Sequence, residues 1–300
     1  MQAALPLDYL ESDAVPVIRR PDHLGRVRRV SYSTSGQILQ PSSGFISSYK
    51  FTLNPYSGCG FACDYCYARF FSRTMEDQEQ WGEWVRVKEN AVRLVQRAIR
   101  SKSERLALHP GDTIYMSSVT DPYQPIEAKL HLSRAILEEI LPQQPRLTIQ
   151  TRSPLVAQDI DILRRFEHLR VNLSIPTDSE DVRLRYEPHA PAIGVRLHTA
   201  EKLRAAGIAI GISISPMLPV VDAESFGHRL AALEAAEYGA QWMHSVRGRF
   251  AAGTPRSTID KFAEDNWTEP AYERARDTIA HVLGPSRPLL EGSNGFRPPP

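Results

Sequence analysis

From residue 51 onward, short apolar runs alternate with stretches in which apolar residues recur every three or four positions. The runs "FTLNP" (51–55), "TIYMSSV" (113–119), "LTIQTRS" (147–153), "VNLSIPT" (171–177), "IAIGISISP" (208–216) and "QWMHSVRG" (241–248) predict strands. Between them, "ENAVRLVQRAIRSK" sets Val92, Val95 and Ile99 on one helical face, and "LHLSRAILEEIL" does the same with Leu130, Ala135, Leu137 and Leu141. "AQDIDILRRF" and "VRLHTAEKLRAAG" follow suit, with the glycine of "RAAGI" as a helix stop before the fifth strand. "EWVRVKEN" adds a small strand before the first helix. Strand and helix in turn are the signature of parallel βα units, so the fold class is α/β. Six such units wind either as an incompletely closed barrel or as a doubly wound sheet, and periodicity does not choose between them.

The pattern divides the chain into an N-terminal extension (1–50) rich in Pro, Ser, Gly and Arg, a core (51–250), and a C-terminal helical extension (251–300) ending in the irregular "EGSNGFRPPP". Within the core, the strands begin apolar and finish polar. Ser117, Ser118, Thr120 and Asp121 end the second run, Thr151, Arg152 and Ser153 the third, Ser174 and Thr177 the fourth, Ser213 and Ser215 the fifth, and His244, Ser245 and Arg247 the sixth. Parallel βα folds gather ligands at the carboxyl ends of their strands, so these positions outline one mouth. Helix capping is the competing explanation for each serine or threonine taken alone.

Composition removes several function classes. Hydrophobic residues at 42% and charged residues at 24% describe an ordinary globular chain. A chain of this length buries roughly 75% of its unfolded surface, and needs neither disulfide nor metal to complete a core. No apolar run approaches the ~20 residues of a membrane span, and no basic segment leads into an apolar one at the start. The expectation is a cytoplasmic protein with no membrane partner. Net charge is +1, which does not announce a nucleic-acid binder. Arg19, Arg20, Arg26, Arg28 and Arg29 read as a solvated arm.

That leaves the three cysteines to be explained by chemistry. Cys59, Cys63 and Cys66 lie in "NPYSGCGFACDYCYARF" (54–70), directly after the first strand. An odd, clustered set speaks against a secreted disulfide framework. Zinc would require a fourth ligand such as His109, His131, His198 or His244. A cubane [4Fe-4S] cluster normally takes four thiolates, and the chain offers three, which leaves one iron open to a further ligand.

The spacing C-x3-C-x2-C, with Tyr65 before the third cysteine and a βα series behind it, resembles the radical S-adenosylmethionine (SAM) superfamily. "SSVTDPYQPIE", "TIQTRSPLVAQDIDIL", "SIPTDSEDVRLRYEPHAPAIGVRL" and "ISPMLP" are similar to its spore photoproduct lyase-related, DNA repair photolyase-like branch, over residues 51 to about 220. The resemblance implies a partial (β/α)6 TIM-like barrel and a [4Fe-4S] cluster held by Cys59, Cys63 and Cys66. It further implies SAM on the open iron, and a 5′-deoxyadenosyl radical that abstracts hydrogen from substrate. Tyr65 is then expected near the adenine. Ser117, Ser118 and Thr120 stand where the superfamily commonly has a Gly-Gly-Glu type motif for the SAM amino group. Ser174 is a candidate for ribose or carboxylate, and Arg152 or Arg196 for the SAM carboxylate. Asp121 and Tyr123 are candidates for substrate chemistry, and Tyr115 or Tyr123 for hydrogen-atom relay. Glu187, pinned before Pro188, is left between substrate contact and loop support.

The branch implies a reducing partner such as a flavodoxin or ferredoxin, and a large substrate, nucleic acid among the candidates. Spore photoproduct repair uses an additional cysteine near the second strand, and this chain has no fourth cysteine. Two other readings compete: a non-catalytic iron–sulfur or zinc protein that binds nucleic acid, and a peptide- or RNA-modifying radical enzyme.

Overall fold

In the computed structural model, which describes residues 20–103, 105–243 and 253–300, the first five apolar runs contain strands and their order settles the winding. The strands are β1 (Arg29–Ser33), β2 (Leu39–Pro41), β3 (Phe51–Leu53), β4 (Tyr56–Ser57), β5 (Trp84–Lys88), β6 (Thr113–Met116), β7 (Arg146–Thr151), β8 (Leu169–Ser174), β9 (Ala209–Ile214), β10 (Glu237–Ala240) and β11 (Leu289–Leu290). The α-helices are α1 (Met75–Glu79), α2 (Ala91–Ile99), α3 (Glu127–Leu130), α4 (Leu132–Ile140), α5 (Ile160–Leu163), α6 (Glu180–Tyr186), α7 (Ile193–Ala205), α8 (Ala223–Ala232), α9 (Arg256–Glu264) and α10 (Glu269–Leu283).

The main sheet runs β11-β10-β9-β8-β7-β6-β3-β2. Pairings from β3 through β11 are parallel, and β2 lies antiparallel on β3. Strand order follows chain order from β3 onward, without the reversal that a doubly wound sheet needs. The two ends of the sheet, β2 and β11, do not pair, so the result is a partial, TIM-like barrel of six units: β3 and β6 to β10. A second sheet, β1-β5-β4, carries the strand expected in "EWVRVKEN" and stands beside the cysteine loop.

All six residues of β8 are buried, as a strand wrapped between helices and barrel interior must be. The interior holds a polar layer. Arg170 Nη2 pairs with Glu237 Oε1 at 2.7 Å, and Arg170 Nε donates to Asn172 Oδ1 at 2.9 Å. The irregular tail closes the amino end of the barrel beneath this layer. Arg297 O accepts from Tyr49 Oη at 2.7 Å and from Arg170 Nη2 at 2.6 Å, while Arg146 Nε donates to Pro299 O at 3.0 Å. Phe296 stacks on Phe45 at 6.2 Å and meets Tyr115 edgewise at 6.4 Å.

Some expectations shift. The sixth strand is Glu237–Ala240, ahead of the apolar "QWMHSVRG". Trp242 goes instead into an aromatic cluster with Phe262, Trp267 and Tyr272, which ties α9 and α10 to the barrel. His244, Ser245 and Arg247 lie outside the described residues, as does Arg19. "AQDIDILRRF" gives a 3-10 stretch, Pro154–Asp159, before the single turn of α5. "LHLSRAILEEIL" is broken at His131, whose φ of 50° separates α3 from α4. The arginine arm is not free: β1 and β2 enter the two sheets, Arg29 pairs with Asp77 at 2.8 Å, and Arg20 with Glu89 at 3.3 Å. Among the described residues no helix is long and apolar enough to cross a membrane.

Candidate active site at the cysteine loop

The site grows from the turn after β3. Asn54 Oδ1 accepts from Ser118 N at 2.9 Å and Val119 N at 3.1 Å, which ties the carboxyl ends of β3 and β6 together. The chain then passes through β4 to Gly58, where φ is +77° and a Cβ would lie 2.4 Å from the carbonyl oxygen of Trp84. Only glycine fits so close an approach. Thr120 Oγ1 donates to Gly58 O at 2.6 Å, and the Gln124 amide spans the loop, accepting from Gly60 N at 2.9 Å and donating to Gly58 O at 3.3 Å. The cysteine segment is thus clamped from the β6 side on both sides of its first thiol.

Cys59 and Cys63 are buried and Cys66 is half-buried. Burial pushes the Cys59 thiol up to about 12, with the Asp121 carboxylate and Cys66 adding to the effect. Cys63 is raised well above its ordinary value by burial, and the Arg152 guanidinium opposes the rise. Cys66 is also raised, by burial. Thiols held neutral in this way give up their protons when a metal centre takes their place, so loading couples to proton release.

Beside the thiols sits a buried chain of charge. Arg152 Nη1 donates to Cys63 Sγ at 2.9 Å and to Tyr65 Oη at 2.8 Å, and it also meets Glu187 Oε1. Tyr65 donates its hydroxyl to the same carboxylate oxygen. Glu187 Oε2 faces Arg196 Nη2 at 2.6 Å, an ion contact off the angle of a hydrogen bond. Arg196 is fully buried, and its other nitrogens donate to Pro191 O at 2.8 Å and Ser174 O at 3.1 Å. Burial alone would raise Glu187, but the Arg196 and Arg152 guanidinium groups and the Tyr65 hydroxyl outweigh it and hold the carboxyl below its ordinary value.

The donor set suits a cluster. Each of the three thiols is in electrostatic range of both others. Yet among the described residues no group of three or more His, Cys, Asp or Glu side chains is arranged to hold a single metal ion. His198, one of the fourth-ligand candidates, is exposed beside Glu201. Two cationic atoms in the surrounding wall, Arg26 Nη1 and Arg69 Nε, are buried with no hydrogen-bond partner among the described residues.

The other expected site residues fall into two groups. Thr120, Ser118, Asp121, Tyr65 and Arg152 come together around the loop. Ser118 Oγ accepts from Asn54 Nδ2 at 3.3 Å, and Ser117 Oγ donates to Leu53 O at 3.3 Å. Asp121, buried, accepts from Thr151 Oγ1 at 2.7 Å, Tyr123 N at 2.9 Å and Arg152 N at 3.0 Å, so it fixes the base of Arg152. Ser174 is buried at the end of β8, bonded through its carbonyl to Arg196. The two relay tyrosines are committed elsewhere: Tyr115 Oη donates to Gln150 Oε1 at 3.0 Å inside the barrel, and Tyr123 Oη to Asp159 Oδ2 at 2.9 Å in the helical layer. The roles of Gln124 and Asn54 were not legible in the sequence, and Tyr67, expected to pack against the loop, donates its hydroxyl to Ser118 O. An amide inside "DPYQPIE", between two prolines, was the available signal for Gln124.

A family model described as the Radical SAM superfamily matches residues 53–233. An uncharacterized protein of Methanocaldococcus jannaschii is 36% identical over 180 residues, and the match covers 60% of this chain and 65% of that relative, just under two thirds of its length. Among solved structures, a spore photoproduct lyase with a cysteine-to-serine change aligns with a TM-score of 0.57 at 17% identity, covering 85% of this chain and 80% of that one. A doubly substituted spore photoproduct lyase with bound AdoMet and dinucleoside spore photoproduct also reaches 0.57, at 16% identity over 85% of this chain and 80% of its own. At such identities the likeness is one of fold.

Proposed function

This chain belongs to the radical SAM superfamily, and on that footing we propose that it cleaves S-adenosylmethionine reductively at a [4Fe-4S] cluster held by Cys59, Cys63 and Cys66, for hydrogen abstraction from a nucleic-acid substrate. The observation that carries the reading is the placement of three buried or half-buried thiols on one clamped loop at the carboxyl mouth of a partial barrel. When bound, the cluster and SAM supply one-electron cleavage of the sulfonium and a 5′-deoxyadenosyl radical. The chain supplies orientation and dryness. Gly58, Gln124 and Thr120 fix the path of the loop, and Trp84 covers it from the small sheet. Ser117, Ser118 and Ser174, at the carboxyl ends of β6 and β8, are the proposed contacts for SAM, and Arg152 is the cation bonded to Cys63.

A one-electron protein donor of the flavodoxin or ferredoxin class fits the need for reductant. Nucleic acid is favoured as substrate because a protein of the same fold is described with a dinucleoside photoproduct bound. Repair of that photoproduct is not the reaction proposed, since each of the three cysteines in the chain is assigned to the cluster.

The reading is tested by anaerobic reconstitution, iron and sulfide assay, and addition of SAM with dithionite. About four irons per chain are expected, with 5′-deoxyadenosine formed by wild type and absent from Cys63→Ser. A fully loaded protein that yields no 5′-deoxyadenosine would sink it. Dinucleoside spore photoproduct offered to the same preparation should remain unrepaired.

A further inference from the structure

Arg152 is built into the cysteine loop more firmly than a residue waiting for substrate needs to be. We propose that Arg152 donates an N–H···S hydrogen bond to Cys63 in the loaded protein, is held there by Glu187 and Arg196 as positioning residues, and thereby sets how readily the cluster accepts its electron. The proposal rests on the cysteine reading above.

The brace is continuous from backbone to sulfur. The Arg152 backbone is anchored by Asp121 Oδ2 at 3.0 Å, and its guanidinium lies 5.9 Å from the centre of the Tyr65 ring. Nη1 reaches Cys63 Sγ at 2.9 Å while it shares Glu187 Oε1 with the Tyr65 hydroxyl. Glu187 in turn is fixed by Arg196, wholly buried and tied to two backbone carbonyls, at Pro191 and Ser174. Its far end is therefore the carboxyl end of β8. A one-electron donor adds one negative charge to the cluster, and no proton need move. A fixed cation and N–H at a ligating sulfur favour that more negative, reduced state, because net charge and hydrogen bonds to sulfur set such potentials. Sharing Arg152 with a carboxylate does not cancel the effect, since Glu187 is balanced from its far side by a second guanidinium.

The test uses reconstituted protein without SAM, so that any contact of Arg152 with the SAM carboxylate cannot intrude. Iron and sulfide are counted first: a wild type that loads no cluster overturns the cysteine reading itself. In loaded protein, redox titration followed by electron paramagnetic resonance should show Arg152→Gln shifted at least tenfold toward the oxidised form, about 59 mV for a one-electron couple. An unchanged midpoint overturns the proposal. Glu187→Gln separates positioning from bulk charge. Removing a negative charge through space favours reduction, whereas releasing Arg152 opposes it. A shift in the same direction as Arg152→Gln is expected, and a shift toward reduction or no shift refutes the brace. If the Glu187 variant does not fold, resonance Raman decides with Arg152→Met, which removes every side-chain donor at this position. The deuterium sensitivity of the Fe–S(Cys) stretches should fall below that of wild type, backbone N–H groups at Cys59 and Cys66 keeping a remainder, and an unchanged sensitivity overturns the Arg152 hydrogen bond.

Discussion

Gly58 shows how far a single position can control the site. Its φ of +77°, and the mere 2.4 Å that would separate an added methyl from Trp84 O, leave no room for a side chain. Gly58→Ala should cost about 2–4 kcal/mol, read by denaturant unfolding, and lower reconstituted iron several-fold. Glu127 offers a second test at this scale. Burial pushes its carboxyl up to about 8, against hydrogen bonds from Tyr56 and from Ser133 N at 2.7 Å. A raised carboxyl binds its proton in the folded state across the window where the unfolded chain has lost it. Its contribution is fully present below the unfolded value of 4.5 and is lost as pH rises through about 8. Glu127→Gln should therefore flatten the fall in stability between those limits, by at most about 1.4 kcal/mol per pH unit, in unfolding series from pH 5 to 9. Gly58 is legible beside the cysteines as the residue that lets their loop bend, and Glu127 is not. The thiols declare themselves by type and spacing, whereas Glu127, Glu187 and Arg196 acquire their roles from partners brought close only by folding.

Among elements, sequence was most informative where burial enforced a pattern and least where other packing competed. β6 to β9 were readable because covered parallel strands must be apolar, and α2 because its buried residues Ala91, Leu94 and Val95 recur at helical spacing. β10 was displaced because "EYGA" carries too little apolar signal, while the louder "QWM" belongs partly to another cluster. That cluster is itself testable. Trp242 lies 5.7 Å from Phe262, 5.4 Å from Tyr272 and 6.5 Å from Trp267, ring centre to ring centre. Trp242→Ala removes all three contacts and should cost roughly 3 kcal/mol. α10 also packs along α8, where Val282 lies against Gly227, so amide exchange should rise more in α9 than in α10, β7 or β8.

At the scale of the molecule, parallel strands divide the work between two mouths: the carboxyl ends present the cysteine loop, and the amino ends are closed by the tail. The alternation of runs announced the barrel, and the polar strand ends announced its mouth, but nothing in "EGSNGFRPPP" signals a plug. Apart from the Phe296 ring, backbone carbonyls make that plug, and a carbonyl is common to every residue, so no side-chain pattern reveals those contacts. Deleting residues 291–300 removes the acceptors of Arg146, Tyr49 and Arg170 and the ring of Phe296 packed on Tyr115. The buried Arg170–Glu237 pair would then meet water, and Tyr49 would lose one of its two partners, keeping Thr148 at 2.8 Å. A stability loss of about 2–4 kcal/mol follows from hydrogen bonds and packing forfeited at a buried end. The cysteine loop depends on Gly58, Gln124 and Thr120 at the opposite mouth, so iron loading should stay within about twofold of wild type once the protein is folded. Loss of iron in step with stability would mean that the two mouths are not independent, and that the polar layer between them transmits the damage.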